Sequence, residues 1–222
     1  MNDPPVGRAG LALHEGFVAP EVAAEFPGLR LRWTVVPGRV RRSPAALRRR
    51  LRMLSDRYRG AGVVSMRVRP VPHAFRSFFR QIGLDPDVQR VPSERVAVER
   101  LLHGEFRSVD AIADACLVAL VETGVPVWAL DADDLDPAGP GIRLAAADEP
   151  PAGPVPAPAA GSLIVADEGG WHTVLFEDPP AGRAPGPRTR QVLLFAVAVD
   201  GVPEIHVEEA LEMVADLLGG AA

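Results

Sequence analysis

Along residues 26–38, FPGLRLRWTVVPG, apolar and polar positions alternate and then meet Pro-Gly, which predicts a strand closed by a turn. The period then changes. Leu47, Leu51, Leu54 and Tyr58 recur at intervals of four and three, so residues 43–60 are expected to form a helix with one apolar stripe. Ser43 reads as its N-cap and Pro44 as its first helical residue, with Gly60 and Gly62 as the stop. Residues 63–70, VVSMRVRP, read as a short strand, and residues 73–83, HAFRSFFRQIG, as a helix ended by Gly83. Ser93 is expected to cap a further helix that turns Ala97, Val98, Leu101 and Leu102 inward. The next helix, starting at Ser108, carries Ile112, Ala113, Cys116, Leu117 and Leu120. It is apolar nearly all round, the mark of a central buried helix. Residues 125–135, VPVWALDADDL, follow as strand and turn.

The second half reads differently. GIRLAAA, GSLIVAD, HTVLFE and QVLLFAVAV are short strand candidates separated by loops rich in proline and glycine. Residues 150–161, PPAGPVPAPAAG, read as a stiff surface connection. The chain closes on an amphipathic helix with Val207, Ala210, Leu211, Val214 and Leu218 on one side. Helices first and strands later, around one apolar helix, point to an α+β fold rather than a doubly wound sheet.

Charge adds a second pattern. All 24 cationic side chains are arginine, and residues 39–100 hold 16 of them against five acids, although the whole chain has a formal charge of −5. Residues 101–222 hold five arginines against 20 acids. A basic sector on an acidic body can attract a phosphate backbone. Arg48, Arg49, Arg50, Arg52 and Arg57 fall off the apolar stripe of their helix, so they are either solvated or bound to anions. No apolar run approaches the roughly 20 residues of a membrane span, and residues 1–10 show no signal-peptide pattern. One cysteine excludes an internal disulfide and a multi-cysteine metal site. A cytoplasmic protein is the expectation.

Several familiar chemistries are missing. No glycine-rich phosphate loop opens a helix, no G-x-S-x-G elbow is present, and the five histidines are scattered, so neither cofactor nor metal is expected. Asp131, Asp133, Asp134 and Asp136 lack the Gly and distal Glu of a calcium loop, and a solvated turn explains them. Cys116 on an apolar helix reads as a small buried hydrophobe, and Trp128 and Phe195 as core.

An ordered series of motifs remains. Arg80, Gly83, Asp85 and Pro86 are followed by Arg90, Pro92, Ser93 and Glu94, then by Asp114, then by Gly124, Pro126, Ala129 and Asp131. Asp167 and Thr189 stand on two later strands. Over roughly residues 70–218 this series resembles the B3/B4 module of the phenylalanyl-tRNA synthetase β subunit, and more closely the free-standing proteins built from that module alone. The resemblance implies a three-layer α+β sandwich with a half-open β sheet and a pocket between its halves. Residues 71–222 would form the module, with residues 1–70 a strand and arginine-rich helix packed on it as one compact unit. In the synthetase the pocket hydrolyses mischarged tRNA. Here the Thr-Asn positions of that pattern fall on Cys116 and Leu117, its histidine on Trp128 and its strand glutamate on Phe195.

Two functional expectations follow. The first is a module that binds tRNA or an aminoacyl-tRNA end, with deacylation in trans as its one enzymatic option. Arg48, Arg49, Arg52, Arg80 and Arg90 are then the phosphate-binding candidates, and Cys116, Trp128, Phe195, Asp114 and Glu94 the pocket candidates. The second is a non-catalytic module that binds a small ligand or a protein through the same pocket, favoured by the apolar replacements. Structural alternatives accompany both: an Arg80–Asp85 or Arg90–Glu94 pair, and Arg76 or Arg80 as partner of the buried Asp114, whose charge needs a partner.

Overall fold

The computed structural model describes residues 11–58, 69–133 and 135–219. In chain order these hold β1 (His14–Glu15), α1 (Pro20–Glu25), β2 (Arg30–Pro37), α2 (Ala45–Arg57), α3 (Pro70–Gln81), α4 (Pro92–His103), α5 (Ala111–Thr123), β3 (Val127–Asp131), β4 (Gly141–Leu144), β5 (Leu163–Asp167), β6 (Gly170–Val174), β7 (Gln191–Ala198) and α6 (Glu204–Gly219). The fold is α+β, with two antiparallel sheets ordered β1-β2-β7-β3 and β4-β5-β6. The strand expected over residues 63–70 falls almost wholly outside the described residues; its last residue, Pro70, opens α3 instead.

β7 is the spine of the larger sheet. From Val192 to Ala198 it is buried without a break, because β2 pairs with it from Arg30↔Ala198 to Pro37↔Gln191 and β3 flanks its other side. Both faces are covered, so a continuous apolar run replaces alternation. α6 packs against β2 and β7 on one face, and α5 packs against α6 and β3. Val207, Ala210, Leu211, Val214 and Leu218 are the buried face of α6, as their spacing predicts. β2 comes from the first 70 residues yet lies inside the sheet, and Leu47, Leu51 and Leu54 of α2 join the same core as β7.

The other face of this sheet carries the aromatic core. Trp128 and Phe195 are register partners on β3 and β7, and their rings stack at 5.5 Å. Phe176 joins them to Phe75, Phe78 and Phe79 of α3, with ring centroids 5.2–5.9 Å apart. Phe176 sits at φ 67°, a left-handed conformation that costs a bulky residue energy. The aromatic contacts hold it there. That turn also ends β6 at Val174, short of the HTVLFE strand expected from sequence.

Helix starts differ from expectation in an instructive way. Ser43 does not cap α2: Pro44 occupies that position, and the Ser43 hydroxyl donates to Asp114 at 2.5 Å. Ser93 does not cap α4 either; Val91 does so with no side-chain bond, and Pro92 opens the helix. A proline at N1 needs no N–H partner, which weakens the demand for a polar cap. α5 starts at Ala111 rather than Ser108, with Asp110 as a true cap accepting from the N–H groups of Ile112 (2.8 Å) and Ala113 (3.0 Å). On α4 only Ala97 of the four expected inward residues is buried; Leu101 and Leu102 are exposed at 48% and 74%.

Candidate functional site

β3 is the edge strand of the larger sheet, and a cleft of about 320 Å³ opens beside it. Ile112, Cys116, Leu117 and Leu120 of α5 form one wall, and Pro126 to Ala129 form the floor. The start of α4 contributes Pro92, Arg95 and Val96, and a proline-rich segment from Asp178 to Pro185 closes the far side. Its surface is mostly apolar because α5 turns a second hydrophobic side outward here. The helix is apolar nearly all round, but Ala113 is exposed and Cys116 and Leu117 are half-buried.

Charge is confined to the rim. Arg95 and Asp178 face each other across it at 3.5 Å, both well exposed, and such a pair contributes little. Val40, which also lines the cleft, lies between Arg39 and Arg41. The Arg41 carbonyl accepts from Ala111 N–H at 2.9 Å, fixing this arginine-rich stretch beside the start of α5. Asp110 reaches the rim but is held by the helix end it caps. Burial, reinforced by the nearby Asp110 charge, pushes the Cys116 thiol up to about 12. It therefore stays protonated at neutral pH and is a poor nucleophile.

Of the five pocket candidates, the structure brings Cys116 and Trp128 to this cleft. Phe195 lies behind Trp128, 1% exposed, and does not line it. Asp114 points away into the helix layer. It accepts from the hydroxyls of Ser43 and Ser108, both at 2.5 Å, and from Val109 N–H at 2.8 Å. Neither Arg76 nor Arg80 is its partner; two hydroxyls and one backbone donor satisfy the carboxylate in their place.

Glu94 is also structural, and among the described residues it is Arg76, not Arg90, that bonds it. The Arg76 Nη1 donates to both Glu94 oxygens at 2.9 Å, and Nη2 donates to Asp87 at 2.8 Å. The two side chains are 8% and 4% exposed, so this is a buried pair joining α3 to α4. Burial opposes the charge on Arg76, but the bonds to Asp87 and Glu94 outweigh it and raise the pKa above the usual arginine value. Asp85 accepts from Asp87 N–H at 2.9 Å, which shapes the Asp-Pro turn, and forms no pair with Arg80. Arg80 and Arg90 are exposed and have no ionic partner among the described residues.

The arginines of α2 divide. Arg50 bridges to Glu122 of α5 at 2.5 and 3.1 Å. Arg49, Arg52 and Arg57 are exposed, and Arg48 is half-buried with an unbonded Nε. The acidic turn is used internally: Asp131 accepts from Thr189 Oγ1 and from Asp133 N–H, and Asp136 accepts from Ala138 N–H. Asp134 lies outside the described residues. Among the described residues, no group of three or more His, Cys, Asp or Glu could hold a metal ion, and no helix is long and apolar enough to cross a membrane.

Sequence reading missed the rim residues Arg95, Asp110 and Asp178, and one buried pair. His172 is fully buried with Nε2 2.9 Å from Asp167 Oδ2, a close ionic contact, and among the described residues neither ring nitrogen makes a well-aligned hydrogen bond. Asp167 is further held by the N–H groups of Asp136 and Gly169. Burial lowers the His172 pKa, with the Asp167 carboxylate working against that shift. No protein-family model matches the chain, and no curated protein matches it.

Proposed function

We propose that this chain is a B3/B4-like module, with that family's three-layer, half-open-sheet architecture, and that it binds tRNA or an aminoacyl-tRNA end from a cytoplasmic pool. The exposed Arg49, Arg52, Arg80 and Arg90 supply phosphate contacts. The cleft beside β3 holds the apolar part of the bound end. One observation carries the reading: an apolar cleft with Arg95 on its rim and Val40, flanked in sequence by Arg39 and Arg41, in its lining. A ligand with an apolar head and a phosphate chain matches both features.

Binding is favoured over hydrolysis. Ester cleavage needs a positioned base or nucleophile and donors for the oxyanion. In this cleft the thiol is protonated, Asp110 is committed to a helix cap and Asp178 faces Arg95. A second reading, a non-catalytic module for a small apolar ligand or a protein, draws on the same replacements, Leu117 and Trp128.

The test is a binding and deacylation assay with bulk tRNA charged with labelled amino acids, at low and physiological salt. Binding with label retained is the expected result. Loss of label from one aminoacyl class would establish a deacylase, and no binding at low salt would leave the second reading.

A further inference from the structure

α2 and α6 lie side by side on α5 and carry opposite charge. α2 holds five arginines and one acid, whereas α6 holds five acids and no arginine. Arg50 marks the seam between them, bonded to Glu122 of α5 and 3.8 Å from Met213 Sδ of α6. Two shallow depressions meet at Arg50 and Glu122. One is bordered by Arg49, Met53 and Arg57, the other by His206, Glu209 and Glu212. On α6 the residues Ile205, Glu209, Glu212 and Asp216 recur at four, three and four, a straight stripe along one side of a helix. Ile205, Glu209 and Glu212 are exposed, as are Arg49, Met53 and Arg57.

This face is complementary to itself. A two-fold axis along the α2–α6 seam would lay the α2 of one copy over the α6 of the other, and preserve height along the helices. The Arg50–Met213 contact sets the middle of α2 beside the middle of α6. An isologous contact needs this arrangement, each patch meeting its complement twice.

We propose that the chain self-associates as a two-fold dimer through the α2–α6 face, with the arginine stripe of each copy on the acidic stripe of its partner. Two neighbouring helices about 20 Å long offer a contact well below the ~800 Å² per partner of a standard interface. The dimer is therefore weak, reversible and sensitive to salt. The inference does not rest on the tRNA reading. Dimerisation would cover Arg49, however, so tRNA and a second copy would compete for it.

Sedimentation velocity without nucleic acid tests the proposal, from about 5 to 500 μM protein at about 20 mM and about 500 mM salt, a range over which the Debye length shortens severalfold. The expected result is a rise toward dimer mass at low salt, lost at high salt. The charge-reversed variants Arg49→Glu/Arg57→Glu and Glu209→Arg/Glu212→Arg should each be monomeric, and an equimolar mixture of the two should dimerise again. All four positions are exposed, so both variants should fold. A monomer at 500 μM and low salt overturns the proposal. So does a dimer that either variant leaves unchanged, or a mixture that stays monomeric.

Discussion

Replacing Arg76 with methionine is the sharpest test of how the helical half is held together. The side chain is 8% exposed and joins α3 to Glu94 of α4, itself 4% exposed, through two bonds of 2.9 Å. Methionine fills much of the space but leaves the carboxylate of Glu94 buried without its guanidinium. Removing one member of a buried pair costs about 3–5 kcal/mol, whereas replacing both members by apolar groups is often close to neutral. With a urea m-value of about 2–3 kcal/mol/M, Arg76→Met should lower the unfolding midpoint by roughly 1–2 M at unchanged m. Arg76→Met/Glu94→Met should recover most of that loss. The assay is urea unfolding followed by tryptophan fluorescence and by circular dichroism, whose transitions should coincide. A midpoint shift below about 0.3 M for the single variant, or a double variant no more stable than the single, would refute the reasoning, since coupled neighbours are where additivity must fail.

Three further outcomes follow from particular groups. Cys116 lines the cleft, but its thiol is pushed up to about 12; it should resist alkylation by iodoacetamide at pH 8 in the native protein and react on unfolding. His172 has a folded pKa below its ordinary 6.5 because of burial, so the unfolded chain takes up the proton first, and stability should fall as pH drops from about 6.5 through the lower folded value. Urea midpoints at pH 7.5 and 5.5 would show this, and His172→Gln should flatten the dependence. At the helix starts, Asp110→Ala should cost about 1 kcal/mol because a cap with two N–H partners is lost. Ser93→Ala should be neutral or stabilising, because the Ser93 hydroxyl is buried without a partner; a loss equal to that of Asp110→Ala would contradict this.

The legibility of the fold follows the strength of periodic burial. The five inward residues of α6 and the whole of β7 could be read directly, because each pattern reports one large apolar contact. The two-residue β1 and six-residue α1 carry no period and were not foreseen. The serines beside prolines misled, since Ser43 serves Asp114 across 71 positions of sequence and Ser93 has no hydrogen-bond partner among the described residues. Leu101 and Leu102 show that apolar spacing alone does not say which stripe is covered. At the site, the spacing of α5 marks Cys116 and Leu117 only as apolar core, and Cys116 is a pocket candidate only through the motif series. The rim could not be read: Arg95 and Asp178 are 83 positions apart, and only the fold brings them together. The same holds for the Arg76–Glu94 pair, where Arg90 was the nearer candidate in sequence.

The most direct measurement of the central claim is the salt dependence of tRNA binding by the wild-type chain and by Arg49→Ala/Arg52→Ala, read by anisotropy of labelled tRNA at nanomolar concentration. Each arginine that neutralises a phosphate contributes close to one unit of slope in log K against log salt. The account predicts binding that weakens steeply with salt, and a slope reduced by about two in the variant. Absence of binding at low salt, or a slope the variant leaves unchanged, would contradict it.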